Sequence, residues 1–282
     1  MPKSPRPGSI TKALRADGVK VGDLDTSATP GYKGAKADGE KLLAERTQVL
    51  SDLQEMLYAN GRSGDPRSVL LVLQGMDTAG KGGIVRHVIG SVDPQGVDHA
   101  AFGVPTAEEK RHHYLWRIRR KLPRGGQIGV FDRSHYEDVL VVRVHDLVAP
   151  EVWGKRYDEI NKFEAKLVEA GTTIVKVAMF VSLDEQKKRL AQRLERPDKY
   201  WKFNPGDIDE RAYWPAYQEA YQAMLDRTST EQAPWHVIPA DRKWYARLAV
   251  TELLIDALQR LELTWPKAQF DVAEQQRRLA DA

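Results

Sequence analysis

Residues 70–83 read Leu-Leu-Val-Leu-Gln-Gly-Met-Asp-Thr-Ala-Gly-Lys-Gly-Gly, and no other segment narrows the fold as far. A run of apolar residues closed by glycine predicts a strand covered on both faces, the kind found in parallel sheets. The glycines predict a tight turn, and Ile84, Val85, Val88 and Ile89 then fall at helical spacing. A strand, a glycine-rich turn and a helix together offer backbone N–H groups to anionic oxygens, and a lysine ammonium bridges two phosphoryl groups. Gly75, Gly80 and Lys81 keep the spacing Gly-x4-Gly-Lys, and Gly83 completes the turn. Gly82 stands where such loops carry the Ser or Thr that binds Mg²⁺. Asp77, inside the turn, is the expected substitute, because Mg²⁺ takes carboxylate oxygen readily.

Around this unit, apolar runs alternate with helical periodicities. Strands are expected at 69–73, 98–102, 128–132, 173–181 and 235–238, with helices at 42–56, 106–121, 150–170, 184–195, 210–227 and 243–262. Alternation at this rhythm predicts an α/β fold with a parallel sheet and helices on both faces. Residues 1–40, interrupted by Pro2, Pro5, Pro7, Gly18, Pro30 and Gly31, are expected to form an extended basic arm. Residues 41–264 form the main domain, and 265–282 a polar tail. At 282 residues, 41% hydrophobic and 29% charged, the chain can bury a large core, and no apolar run is long enough to span a bilayer. Zero cysteines exclude disulfides and thiolate zinc sites and suit a cytoplasmic location.

Two further segments carry chemistry. The strand 128–131 ends in Asp132-Arg133-Ser134, which would deliver a second carboxylate to the strand end beside the glycine loop. Asp77 and Asp132 would then hold Mg²⁺, with Mn²⁺ as its substitute, while Arg133 reaches a transferring phosphoryl group. Farther on, Arg189, Arg193 and Arg196 follow at intervals of four and three, so they share one helical face. The segment breaks at Pro197 and continues through Lys199, Tyr200, Trp201 and Lys202. A cationic helix that breaks into such a loop reads as a lid over phosphates, placed at about 184–209. Between Lys110 and Arg124 lie seven lysines and arginines with no acid, although the whole chain carries only +3. A local patch inside a balanced chain points to a specific polyanion, with Arg117, Arg120 and Lys121 as its track. Near-neutral charge and the lack of a nucleic-acid-binding motif argue against nucleic acid as partner.

Taken together, Gly75–Gly83, Phe131-Asp-Arg-Ser-His-Tyr-Glu-Asp138, the lid segment Arg193–Lys202 and Pro239-Ala-Asp-Arg-Lys-Trp-Tyr-Ala246 resemble the polyphosphate kinase 2 family. The resemblance spans about Leu42 to Leu263. It implies a three-layer α/β/α P-loop kinase fold, with reversible, Mg²⁺-dependent phosphoryl transfer between inorganic polyphosphate and adenine or guanine nucleotides. It also implies a homo-oligomer, a dimer or tetramer. Position by position, it assigns metal and nucleotide orientation to Asp77 and Asp132. Charge neutralisation falls to Lys81 and Arg133, and the lid contributions to Arg193, Lys199 and Lys202. Glu137 resembles the subgroup that accepts both nucleoside mono- and diphosphates; members preferring diphosphates tend to carry asparagine near that position. Two other readings compete: an ATP-dependent nucleoside or nucleotide kinase, and a phosphate-sensing module that docks nucleic acid through the basic run.

Overall fold

The computed structural model describes residues 8–282. Helices α1 (Ser9–Ala13) and α2 (Lys36–Arg62) precede β1 (Ser68–Gly75), α3 (Lys81–His87) and β2 (Val97–Ala101). Next come α4 (Leu115–Arg119), β3 (Ile128–Asp132), α5 (Val141–Val144), α6 (Pro150–Glu169) and β4 (Thr172–Phe180). The chain continues through α7 (Leu183–Leu194), α8 (Gly206–Asp209), α9 (Trp214–Thr228), β5 (Trp235–Pro239), α10 (Lys243–Gln259) and α11 (Val272–Ala280). The strands pair in the order β2-β3-β1-β4-β5, and every pairing is parallel.

Burial follows from that arrangement. All eight residues of β1 are buried. Val69, Leu71 and Leu73 pack with Leu50 and Leu57 of α2, Ile84 of α3 and Leu254 of α10. Leu70 and Val72 face the opposite layer, with Ile118 of α4, Ile160 of α6 and Met224 of α9. A period of two thus splits one apolar run between two cores, which is why the sequence shows no polar alternation there. The result is three layers, α/β/α.

The structure departs from the sequence expectations in three places, each for a local reason. Helix α2 starts at Lys36 and runs 27 residues, six residues ahead of the expected start. Gly39, which looks like a helix breaker, is where the Trp244 ring lies against the backbone, in space that a β-carbon would occupy. The expected helix over 106–121 is only a 3₁₀ turn at Glu109–Arg111 and the five-residue α4. Thr106 and Glu109 cap one another reciprocally, but the cations that follow have no acid at i,i+4 to support a longer helix.

The third departure concerns the expected arm. From Ser9 onward it is seated against the sheet; its first seven residues lie outside the described residues. Ile10, Leu14, Val21 and Tyr32 are buried. Val237 N–H donates to Leu14 O at 2.7 Å and Ala16 N–H to Trp235 O at 3.0 Å, so the segment covers the free edge of β5. Glycine and proline set where its chain turns, while its apolar residues set where it packs. Leu14, 1% exposed, should therefore behave as core. Leu14→Ala is expected to cost about 2–5 kcal/mol, measured as a lower denaturant midpoint with an unchanged slope, while specific activity of the folded fraction is retained.

Candidate active site

Parallel strands bring their carboxyl ends to one edge, and the chemistry gathers there. β1 ends at Gly75, where a β-carbon would meet Met179 O at 2.7 Å and Ala79 Cβ at 2.9 Å, so only glycine lets the chain turn this closely to β4. Thr78 at φ 65° and Gly80 at φ 113° then carry the loop through left-handed conformations. Lys81 opens α3, and its ammonium donates to the carbonyls of Gly75 and Met76. It is 9% exposed. Burial, and then the Arg133 charge, lower its pKa, and Asp132, Asp77 and Glu137 oppose them. Gly82 and Gly83 present an open face, since a β-carbon at either would meet nothing within 4 Å.

β3 pairs with β1 so that Asp132 lies opposite Leu73. One residue on, Arg133 takes φ 61°, with its N–H donating to Leu73 O at 3.0 Å. From that conformation its guanidinium donates to Asp77 Oδ1 at 3.0 Å, joining the two motifs. Burial works against the Arg133 charge, but Glu137, Asp77 and Asp132 more than offset it and raise its pKa. Gln74, the buried last side chain of β1, fixes the next turn. Oriented to satisfy both neighbours, its amide oxygen accepts from Ser134 Oγ at 2.9 Å and its nitrogen donates to Glu137 Oε1 at 2.9 Å. Burial raises the pKa of Glu137, against the pull of Arg133 and Lys81.

These groups share a cavity of about 880 Å³. Asp77, Gly80, Lys81, Gly82, Gly83, Asp132, Arg133, Arg193, Lys199 and Lys202 all line it. Gly75 and Glu137 instead line a smaller adjoining pocket of about 40 Å³, which shares Asp77 and Arg133 with the cavity. Arg117, Arg120 and Lys121 line neither. Arg117 is buried, donating to Gly103 O at 2.8 Å with its guanidinium over Phe102. Arg120 lies exposed over Trp116.

On the lid side, Arg193 donates to Lys202 O at 2.9 Å and to Asp207 at 3.1 Å, which ties α7 to the aromatic–basic loop. Arg189 is not a surface charge of that face. It is 5% exposed and donates to Glu185, to the loop carbonyls of Thr78 and Ala79, and to Ala240 and Asp241 after β5. It therefore holds the glycine loop, the root of α7 and the end of β5 together. Helical spacing put Arg189 in line with Arg193, but spacing carries no information about which end of the row is buried.

The sequence reading also passed over Arg86 of α3 and Lys243 and Arg247 of α10, all of which line the cavity. Lys243 stands inside the motif Pro239–Ala246, and Arg86 lies five residues after Lys81 on the same short helix; both were available as signals. Counting these, the lining holds ten lysines and arginines against four acids among the described residues, a surface suited to a ligand with many negative charges. Asp77 and Asp132 add hard oxygen donors from two different loops. No group of three His, Cys, Asp or Glu side chains among the described residues forms a metal cage.

Comparison with known proteins agrees with this geometry. The family model described as polyphosphate kinase 2 matches residues 33–265. An AMP/ADP-polyphosphate phosphotransferase of Meiothermus ruber is 47% identical over 244 residues, covering 86% of this chain and 90% of the relative. An ADP-polyphosphate phosphotransferase of Rhodopseudomonas palustris is 42% identical over 272 residues, covering 91% and 92%. The crystal structure of polyphosphate kinase 2 from Arthrobacter aurescens superposes with a TM-score of 0.95 at 54% identity, covering 97% of both chains. With its glycine loop, paired carboxylates and cationic cavity occurring in that sequence frame, the chain belongs to the polyphosphate kinase 2 family.

Proposed function

We propose that this chain is a phosphotransferase that moves a phosphoryl group, reversibly, between inorganic polyphosphate and nucleoside mono- or diphosphates, adenine or guanine. The observation that carries the reading is the convergence of Lys81, Asp132, Arg133, Arg193 and Lys199 on one strongly cationic cavity. Phosphoryl transfer demands little covalent chemistry, so catalysis is chiefly in-line positioning and offsetting of charge on the transferred group. Lys81 and Arg133 neutralise that charge from the floor, and Arg193, Lys199 and Lys202 from the lid over 184–209. No nucleophilic side chain is needed.

Asp77 and Asp132 fit a divalent cation. Mg²⁺ typically takes one or two carboxylates and completes its octahedron with phosphate oxygens and water, so a full protein cage is not required. Mn²⁺ would use the same donors. When bound, the ion supplies positive charge to the phosphate oxygens.

Polyphosphate carries negative charge on every phosphate, so the phosphates beyond the one at Lys81 need further cations. Arg86, Lys243 and Arg247 line the cavity and have no ion-pair partner among the described residues, whereas Arg117, Arg120 and Lys121 lie outside the lining. We place the polyphosphate chain along the first group. Glu137, beside the Asp77–Arg133 pair in the small pocket, supports use of both mono- and diphosphates. The two relatives named above divide on that point, so AMP is the informative acceptor. Among the described residues no helix is long and apolar enough to cross a membrane. A cytoplasmic homo-oligomer, dimer or tetramer, with no nucleic-acid partner, completes the proposal.

The decisive assay incubates purified protein with Mg²⁺, long-chain polyphosphate and either AMP or ADP, and separates the nucleotides by chromatography. ATP formed from ADP with no added ATP, and ADP formed from AMP, are expected; silence with polyphosphate but turnover with ATP as donor would overturn the proposal. Asp77→Asn is expected to lower kcat by about 100-fold or more while leaving the melting temperature within a few degrees. Lys243→Ala and Arg247→Ala should each raise KM for long-chain polyphosphate by about tenfold, equivalent to roughly 1.4 kcal/mol. Their KM for ADP should stay near that of the parent, and the polyphosphate effect should shrink as salt is added.

A further inference from the structure

β4 contains an anomaly that the active-site chemistry does not use. Along this strand Ile174, Ala178 and Phe180 face the layer formed by α6 and α9, and the alternation places Lys176 in the same row. Lys176 is fully buried. Its ammonium donates to Glu164 Oε2 of α6 at 2.6 Å, to Tyr136 Oη at 2.9 Å and to Thr228 O at 2.6 Å. Glu164, 2% exposed, also accepts from Tyr136 Oη at 2.7 Å and pairs with His135 Nε2 at 3.1 Å. Burial opposes its charge, yet Lys176 and the His135 hydrogen bond hold the Glu164 carboxyl below its ordinary range. It is therefore an ionised acceptor for all of these donors.

A buried ion pair is a poor way to gain stability, since apolar residues of similar volume usually do as well or better. What this pair does hold is a short stretch of chain. His135 and Tyr136 are consecutive, both fully buried, and lie between Arg133 and Glu137. Arg133 has a left-handed backbone, which a residue with a side chain keeps only where its surroundings over-determine it. On the upstream side its N–H is bonded to Leu73 O. On the downstream side Ser134 is held by Gln74 and caps Tyr136 N–H at 3.2 Å, and Glu164 then grips the two rings that follow.

We propose that Glu164, held in place by Lys176, is a positioning residue that sets Arg133 and Glu137 by anchoring the turn between them from the core side. The proposal rests on the phosphotransferase reading above, in which Arg133 meets the transferred phosphoryl group and Glu137 bears on the choice of acceptor. A buried pair outside the cavity thereby controls both the rate and the preference between nucleoside mono- and diphosphates.

The test compares kcat, KM and the ratio of kcat/KM for AMP and ADP, at saturating polyphosphate, in Glu164→Gln and Tyr136→Phe. Leu50→Ala, in the opposite core layer, serves as a control for lost stability alone. Glu164→Gln is expected to lower kcat about tenfold or more and to shift the AMP-to-ADP ratio about fivefold, with polyphosphate KM little changed. Leu50→Ala, with a comparable fall in melting temperature, should keep the parental kcat and ratio. A folded Glu164→Gln enzyme with parental kcat and ratio would overturn the proposal. Should Glu164→Gln fail to fold, Tyr136→Phe, which removes one hydroxyl and keeps the ring, decides the matter. A shift of the ratio by about threefold in the same direction supports the anchor, and an unchanged ratio overturns it. A parent protein silent with polyphosphate would overturn the activity reading, and the proposal with it.

Discussion

Every strand of the sheet runs the same way, and the rest of the molecule depends on that constraint. Parallel pairing needs a crossover for each strand, so both faces become covered and the strands must be apolar throughout. It also sends each carboxyl end to a single edge. The segments that follow β1, β3, β4 and β5 therefore deliver Lys81, Arg133, Arg189 and Lys243 to one place without any need for those residues to be close in sequence.

Gathering like charges has a cost that the structure meets in two ways. Some cations are paired at once: Arg133 with Asp77, Arg193 with Asp207, Lys199 with Asp198. Arg189 is turned inward, where Glu185 and backbone carbonyls satisfy its donors and it joins the glycine loop, α7 and the end of β5. Among the described residues Arg86, Lys243 and Arg247 have neither arrangement, and burial together with neighbouring positive charge lowers the pKa of Lys243. A polyanion would relieve that repulsion on binding. Asp207, which also lines the cavity, shows the reverse effect: burial and then the Asp77 charge raise its pKa.

Legibility in the sequence followed the physics of each segment. The glycine loop and Asp132-Arg133 were readable because a buried strand, its glycine turn and its terminal acid form a contiguous string whose spacing is the chemistry. The basic run at 110–124 was misleading as a helix because its cations were read for their charge, while the missing acids at i,i+4, also visible in the sequence, left them without helical support. Only the fold buries Arg117 on Gly103. The segment before Lys41 hid its role because turns dominate its composition, while Ile10 and Leu14, too few to show a period, carry its packing. Lys176 was visible in principle as one charge inside Thr-Thr-Ile-Val-Lys-Val-Ala-Met-Phe, but its partners Glu164 and Tyr136 are brought to it by the fold alone.

The Arg133–Asp77 contact separates the large cavity from the small pocket, and both residues belong to the walls of each. Two chambers divided by a single ion pair share one electric field, in the way two rooms share a partition. A substitution at either residue therefore reshapes both walls at once, and neither chamber can be altered there alone.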